Sequence, residues 1–171
     1  MFVADEVILD IGFTAAYTRL TNLIDSGLLA HASTDSYRAG LVGLSLDGPP
    51  GAAPDASRPI KARFRHLAIR DDSAVLAFRW EHGHFPVLDA DITLIPDGPR
   101  GAVLRLTAVY RPPRGPASQA LNGRLPQVAT ATVQAFLGWV ADAMAHPAAG
   151  ADHEADTDGL VLAWLLAEPD Q

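Results

Sequence analysis

Two histidines and a carboxylate stand close together in Trp80-Glu81-His82-Gly83-His84-Phe85. Residues i and i+2 of a strand share a face, so His82 and His84 on a continuing strand would offer two imidazoles to one metal ion. Gly83 and the following Pro86 end a strand here. Catalytic zinc wants three protein ligands and an open position, and no spacing supplies the third. The stretch is therefore read as a solvated turn between strands, with no metal site.

His66 is a different case. In a strand over residues 60–70, alternation puts it with Ile60, Ala62, Phe64 and Ala68, opposite Lys61, Arg63 and Arg65. A bulge would reverse part of that assignment. A buried imidazole needs hydrogen-bond partners and titrates according to them. It is either a satisfied core histidine or a polar contact, or general acid/base, for a bound molecule. Tyr110 and Thr132 can bring hydroxyls to the same apolar faces, although a tyrosine near a strand end also serves as an anchor whose hydroxyl reaches water. Asp89 and Asp91 resemble a carboxylate pair but fall opposite the apolar set, on the solvent side with Glu81. There they offset Lys61, Arg63 and Arg65 across the sheet. Ser45, in Gly43-Leu44-Ser45-Leu46-Asp47-Gly48, misses the nucleophile-elbow spacing by one residue.

The elements that must position these groups follow from periodicity. Residues 3–11 read as a strand. Thr14 can cap a helix carrying Tyr17, Leu20, Leu23 and Ile24 at three-and-four spacing. A short helix over 26–38, capped by Asp25 or Ser26, and a strand over 40–46 come next. The Gly- and Pro-dense run 47–59 is a long loop; it lacks the lysine and spacing of a phosphate-binding loop. Strands over 60–70, 74–81, 87–95 and 102–111, separated by turn residues, make an antiparallel meander. A helix over 118–145 carries Leu121, Leu125, Val128, Thr132, Phe136, Val140 and Met144 at helical spacing, with a kink or restart at Pro126.

Composition narrows the functions further. With 171 residues and 49% hydrophobic content, the chain has enough apolar material for one cored domain. It has no cysteine, which removes thiol and cysteine–zinc chemistry and suits a reducing compartment. A net charge of -7 disfavours nucleic acid and anionic lipid. The acidic N-terminus lacks the basic start of a secretory signal. The apolar run 160–167 is far shorter than the roughly 20 residues that span a bilayer. The expectation is a cytoplasmic protein that does not insert into membranes. It has a domain over 1–146, an acidic linker over 147–159 and an apolar tail over 160–171.

The order strand, two short helices, antiparallel strands, long C-terminal helix resembles the helix-grip fold of the START-like superfamily. That superfamily, also called SRPBCC, includes Bet v 1-like proteins. The stretches "FRWEHGHFPVLDADITL" (78–94), "YRPPRG" (110–115) and "LPQVATATVQAFLGWV" (125–140) are similar to those of uncharacterised actinobacterial members. The resemblance covers residues 2–146. It implies an α+β fold in which a curved antiparallel sheet wraps the long helix, with a hydrophobic small molecule held between them. The residues expected to line that space are Phe64, His66, Phe78, Trp80, Ala90, Ile92, Leu106, Ala108, Tyr110, Ala129, Thr132 and Phe136.

The small residues Ala62, Ala68, Ala90, Ala108, Ala129, Thr132 and Ala135 admit two readings, pocket lining or close helix–sheet packing; the resemblance favours a pocket. Three functions follow. The first is binding of a lipid, polyketide or aromatic metabolite, with no cofactor. The second is a polyketide cyclase or aromatase using His66 or Tyr110 as acid/base. The third is an interaction module presenting the tail, for which a homodimer is one arrangement.

Overall fold

The structure is a computed structural model and describes residues 1–45, 60–81, 87–111 and 125–147. Its elements are β1 (Phe2–Leu9), α1 (Phe13–Asp25), α2 (Leu28–Ser45), β2 (Lys61–Phe64), β3 (Ala68–Arg70), β4 (Ser73–Glu81), β5 (Val87–Asp97), β6 (Gly101–Arg111) and α3 (Leu125–Ala145). The strands form one antiparallel sheet in the order β1-β6-β5-β4-β2, with β3 also on β4. The sheet is curved and α3 packs against it, the α+β helix-grip arrangement expected from the sequence.

Alternation explains the three long strands. Leu76, Phe78 and Trp80 of β4, Leu88, Ala90, Ile92 and Leu94 of β5, and Leu104, Leu106, Ala108 and Tyr110 of β6 all point inward and are buried. Register aligns them in transverse rows. One row is Ala62, Trp80, Leu88 and Tyr110; the next is Phe64, Phe78, Ala90, Ala108 and Val3. A third is Leu76, Ile92 and Leu106.

The stretch 60–70 is not one strand. Phe64 pairs with Phe78, yet Ala68 pairs with Val75, so three residues oppose two. This is a bulge, and it flips the strand's faces. Before it, Ala62 and Phe64 point inward and are half-buried. Within and after it, His66 and Ala68 are exposed. The inward assignment of these two residues is therefore corrected.

Residues 40–45 are helical, not a strand. Nothing between Arg38 and Ser45 stops the helix, since an interior glycine weakens it by only about 1 kcal/mol. Tertiary packing accounts for the glycine. A Cβ at Gly40 would overlap Thr132 Oγ1 and lie 3.1 Å from the Val128 carbonyl oxygen, so α2 and α3 cross here backbone to side chain. Gly27, at φ 73, makes the sharp link between α1 and α2 that a side chain would resist. The N-cap of α1 is Gly12, not Thr14, whose carbonyl instead accepts from the Thr18 hydroxyl at 3.0 Å.

Pro126 lies in the first turn of α3, where its missing N–H has no intrahelical acceptor to lose. The helix thus starts beside the proline; the expected portion 118–124 lies outside the described residues, as do the loop over 47–59 and the tail over 160–171. By length and mean hydropathy of 1.2, Pro126–Ala145 would pass for a membrane span. Its apolar side is instead used internally. Ala129, Val133, Phe136, Leu137, Val140, Ala141 and Met144 are buried against the sheet and α2. At its C-terminal end, Arg19 of α1 donates to the Met144 carbonyl at 2.5 Å and closes an open helix end.

Candidate functional site

Between α3 and the sheet lies an aromatic cluster. Phe136 of α3 meets Phe78 at a centroid distance of 5.5 Å and Trp80 at 4.9 Å, the latter edge-on at 85°. Phe64 stacks on Phe78 at 5.4 Å. Such pairs contribute about 0.5–1.5 kcal/mol beyond the area they bury. They join α3 to the β4 side of the sheet.

The neighbouring side is different. Ala90 and Ala108 are cross-strand partners in the centre of the sheet, beside Phe78 in their row. Two methyl side chains thus stand next to large rings on the inner face. Leu76, Ile92 and Leu94 are sealed at 0% exposure, while inward-facing Ala90 retains 6% and Trp80 3%.

Polar side chains stand close by. Tyr110 follows Ala108 on the same face of β6, and its backbone N–H donates to the Met1 carbonyl at 2.8 Å. Thr132 sits one turn before Phe136 on α3. Tyr37 comes from α2, one turn before Gly40. Burial pushes the Tyr110 phenol above its ordinary range, with a smaller opposing pull from the Thr132 hydroxyl beside it. Burial likewise raises the Tyr37 phenol, and the nearness of Tyr110 adds to the shift. These side chains form one group where β6, α2 and α3 meet. The Tyr110 hydroxyl, Thr132 Oγ1 and Trp80 Nε1 are buried and make no hydrogen bond of proper geometry to any described residue. Thr132 Oγ1 lies near enough to influence Tyr110 without completing such a bond.

Of the expected lining residues, Phe78, Trp80, Ala90, Ile92, Leu106, Ala108, Tyr110, Ala129, Thr132 and Phe136 are buried and Phe64 half-buried. His66 is the exception. The bulge carries it outward, so no imidazole among the described residues faces the interior. Tyr37, inside the helix expected over 26–38, was not assigned to the interior, and Gly40 went unrecognised because a strand was expected at 40–46. The signal was present: Ser33, Ser36, Tyr37 and Gly40 continue one helical face at three-and-four spacing.

The outer face carries the charges. Asp89 takes Arg111 at 2.9 Å and Arg79 at 3.5 Å, and Arg79 also meets Glu81 at 2.6 Å. Glu81 therefore pairs along its own strand rather than with Lys61 opposite. Asp89 is committed to this network and Asp91 is exposed on the same side, so neither faces the interior. His82 and His84 lie outside the described residues.

No family model and no curated protein sequence matches the chain. Solved structures do. A hypothetical protein from Helicobacter pylori matches at 14% identity and TM-score 0.47, over 83% of this chain and 86% of that one. Norcoclaurine synthase from Thalictrum flavum, in complex with dopamine and hydroxybenzaldehyde, matches at 12% identity and TM-score 0.44, over 83% and 84%. A START superfamily protein from Mycobacterium smegmatis matches at 14% identity and TM-score 0.36, over 81% and 96%. At these identities the likeness is one of fold alone. What its interior can hold is set by its own side chains.

Proposed function

We propose that the protein binds a hydrophobic small molecule, of the lipid, polyketide or aromatic-metabolite kind, between the sheet and α3. The observation that carries this reading is the set of buried, unpartnered polar atoms among apolar side chains: the Tyr110 hydroxyl, Thr132 Oγ1 and Trp80 Nε1. A buried donor without a partner costs about 1–3 kcal/mol. A core built for stability alone would carry Phe and Val at positions 110 and 132. A guest that meets these groups repays the cost on binding. The rest of its affinity comes from apolar burial, at about 25 cal/mol per Å².

The catalytic alternative is less well supported. An acid/base group works best with a pKa near the operating pH. His66 is exposed outside the grip, and the Tyr110 phenol is driven away from neutrality by burial. Tyr110 is suited to donating a hydrogen bond and poorly suited to shuttling a proton.

Native mass spectrometry of the protein purified from its own host tests the reading. A co-purified apolar mass that is lost from a Tyr110→Phe, Thr132→Val variant supports it. An empty protein that also fails to take up a neutral hydrophobic dye contradicts it.

A further inference from the structure

We infer that the interior site selects a neutral apolar molecule bearing a hydrogen-bond-accepting oxygen, a carbonyl above all, and rejects carboxylates and amines of the same size. This rests on the binding reading just given and adds the chemistry of the head group.

The inference comes from what each polar atom can do. An indole Nε1–H only donates. Phenol and threonine hydroxyls can donate and accept, but with no partner among the described residues each has its proton to offer. The site is therefore rich in donors. A ligand group that only donates would leave Trp80 Nε1 unmet. A carbonyl oxygen, which only accepts and has two lone pairs, suits the Tyr110–Thr132 pair. Trp80 and Tyr110 flank Leu88 in one row, so the indole N–H is a third donor, across β5 from the other two.

Charge decides against ionic heads. The buried polar side chains among the described residues are Ser33, Ser36 and Thr132, with the two phenols and the indole beside them. No described Lys, Arg, His, Asp or Glu stands in the row of Trp80 and Tyr110 on the inner face; Asp5, half-buried opposite Leu106 and accepting from the Glu6 N–H at 2.9 Å, lies two rows away along β6. A carboxylate would enter without a cation and an amine without an anion, and desolvating an unpaired charge costs more than neutral hydrogen bonds return. The phenols cannot ionise to serve as that anion, because burial holds both protonated.

The test is displacement of Nile red, a neutral dye, by a matched medium-chain series: methyl ketone, alcohol, carboxylate and amine. The ketone should displace it with an affinity about tenfold above the carboxylate and the amine. The alcohol should fall between them. In the Tyr110→Phe, Thr132→Val variant the ketone's advantage over the alcohol should shrink to about twofold or less. Both substitutions keep shape and remove unpaired polar atoms, and a thermal melt checks that the variant folds. Dye binding with the carboxylate or amine displacing as well as the ketone overturns the head-group inference and leaves the binding reading standing. Dye binding with no displacement by any member also overturns the inference. Failure of the wild-type protein to bind the dye defeats the binding reading and the inference with it.

Discussion

Phe136 presents its ring edge-on to the indole of Trp80, 4.9 Å centroid to centroid, and so joins α3 to β4 across the interior. Phe136 is fully buried, and truncating it removes contacts to two rings at once. Phe136→Ala should cost about 3–5 kcal/mol, and Phe136→Leu about 1–2 kcal/mol because more of the volume is kept. Urea denaturation followed by circular dichroism measures both. A loss below about 1 kcal/mol for the alanine variant would mean that α3 does not depend on this sheet face for its anchorage.

Tyr110→Phe and Thr132→Val separate stability from function. Each deletes a buried polar atom without a partner, so each should leave stability unchanged or raise it, by up to about 1–3 kcal/mol. Affinity for an oxygen-bearing apolar ligand should fall about three- to tenfold per substitution. Paired denaturation and titration measurements give both numbers. A loss of stability beyond about 2 kcal/mol with unchanged affinity would make these hydroxyls structural.

The long strands were legible because alternation is strict. Every second residue from Ala74 to Trp80, Leu88 to Leu94 and Ala102 to Tyr110 is buried. The antiparallel sheet and the placement of Tyr110 and Thr132 followed from that pattern and from the period of α3. His66 was misplaced because one inserted residue reverses a strand, and composition carries no mark of it. The segment 40–45 was misread for a related reason. Gly, Leu and Val in close order suit a strand locally, and only the crossing of α2 over Thr132 shows why a glycine stands inside a helix. Both errors lie where tertiary contacts, not local preference, choose the conformation.

Asp89 provides a test of the outer face. It holds Arg79 and Arg111 together while remaining partly exposed. Asp89→Ala should cost about 1 kcal/mol, less at high salt, and leave ligand affinity unchanged. Denaturation at low and high ionic strength, with a parallel titration, checks both statements. Loss of binding in this variant would contradict the assignment of the site to the inner face.

The crossing of α2 and α3 leaves no room at Gly40. Gly40→Ala drives a methyl group into Thr132 Oγ1 and toward the Val128 carbonyl. The helix propensity gain of about 1 kcal/mol is then outweighed, and a net loss of about 1–3 kcal/mol is expected. Adding Thr132→Ala removes the hydroxyl that is struck and should recover part of the loss. A double-mutant cycle by chemical denaturation reads the coupling between the two positions. Additive effects would show that the helices do not meet at this pair.

The two buried phenols make stability depend on alkaline pH with a definite sign. Burial raises Tyr37, with a further push from Tyr110, and burial raises Tyr110 against a weaker pull from Thr132. An unfolded tyrosine ionises near pH 10, so below about pH 10 both states keep their protons and the full stability is present. Above it the unfolded chain releases protons that the folded chain retains. Stability then falls toward a limiting slope of about 1.4 kcal/mol per pH unit for each phenol. Urea denaturation at several values between about pH 9 and 11 should show this decline, and a Tyr37→Phe, Tyr110→Phe variant should show a shallower one. Tyrosinate absorbance supplies an independent reading, because these two phenols should ionise only as the protein unfolds. Equal slopes in variant and parent, with both phenols titrating in the folded state, would place the two hydroxyls in water and remove them from the interior between sheet and helix.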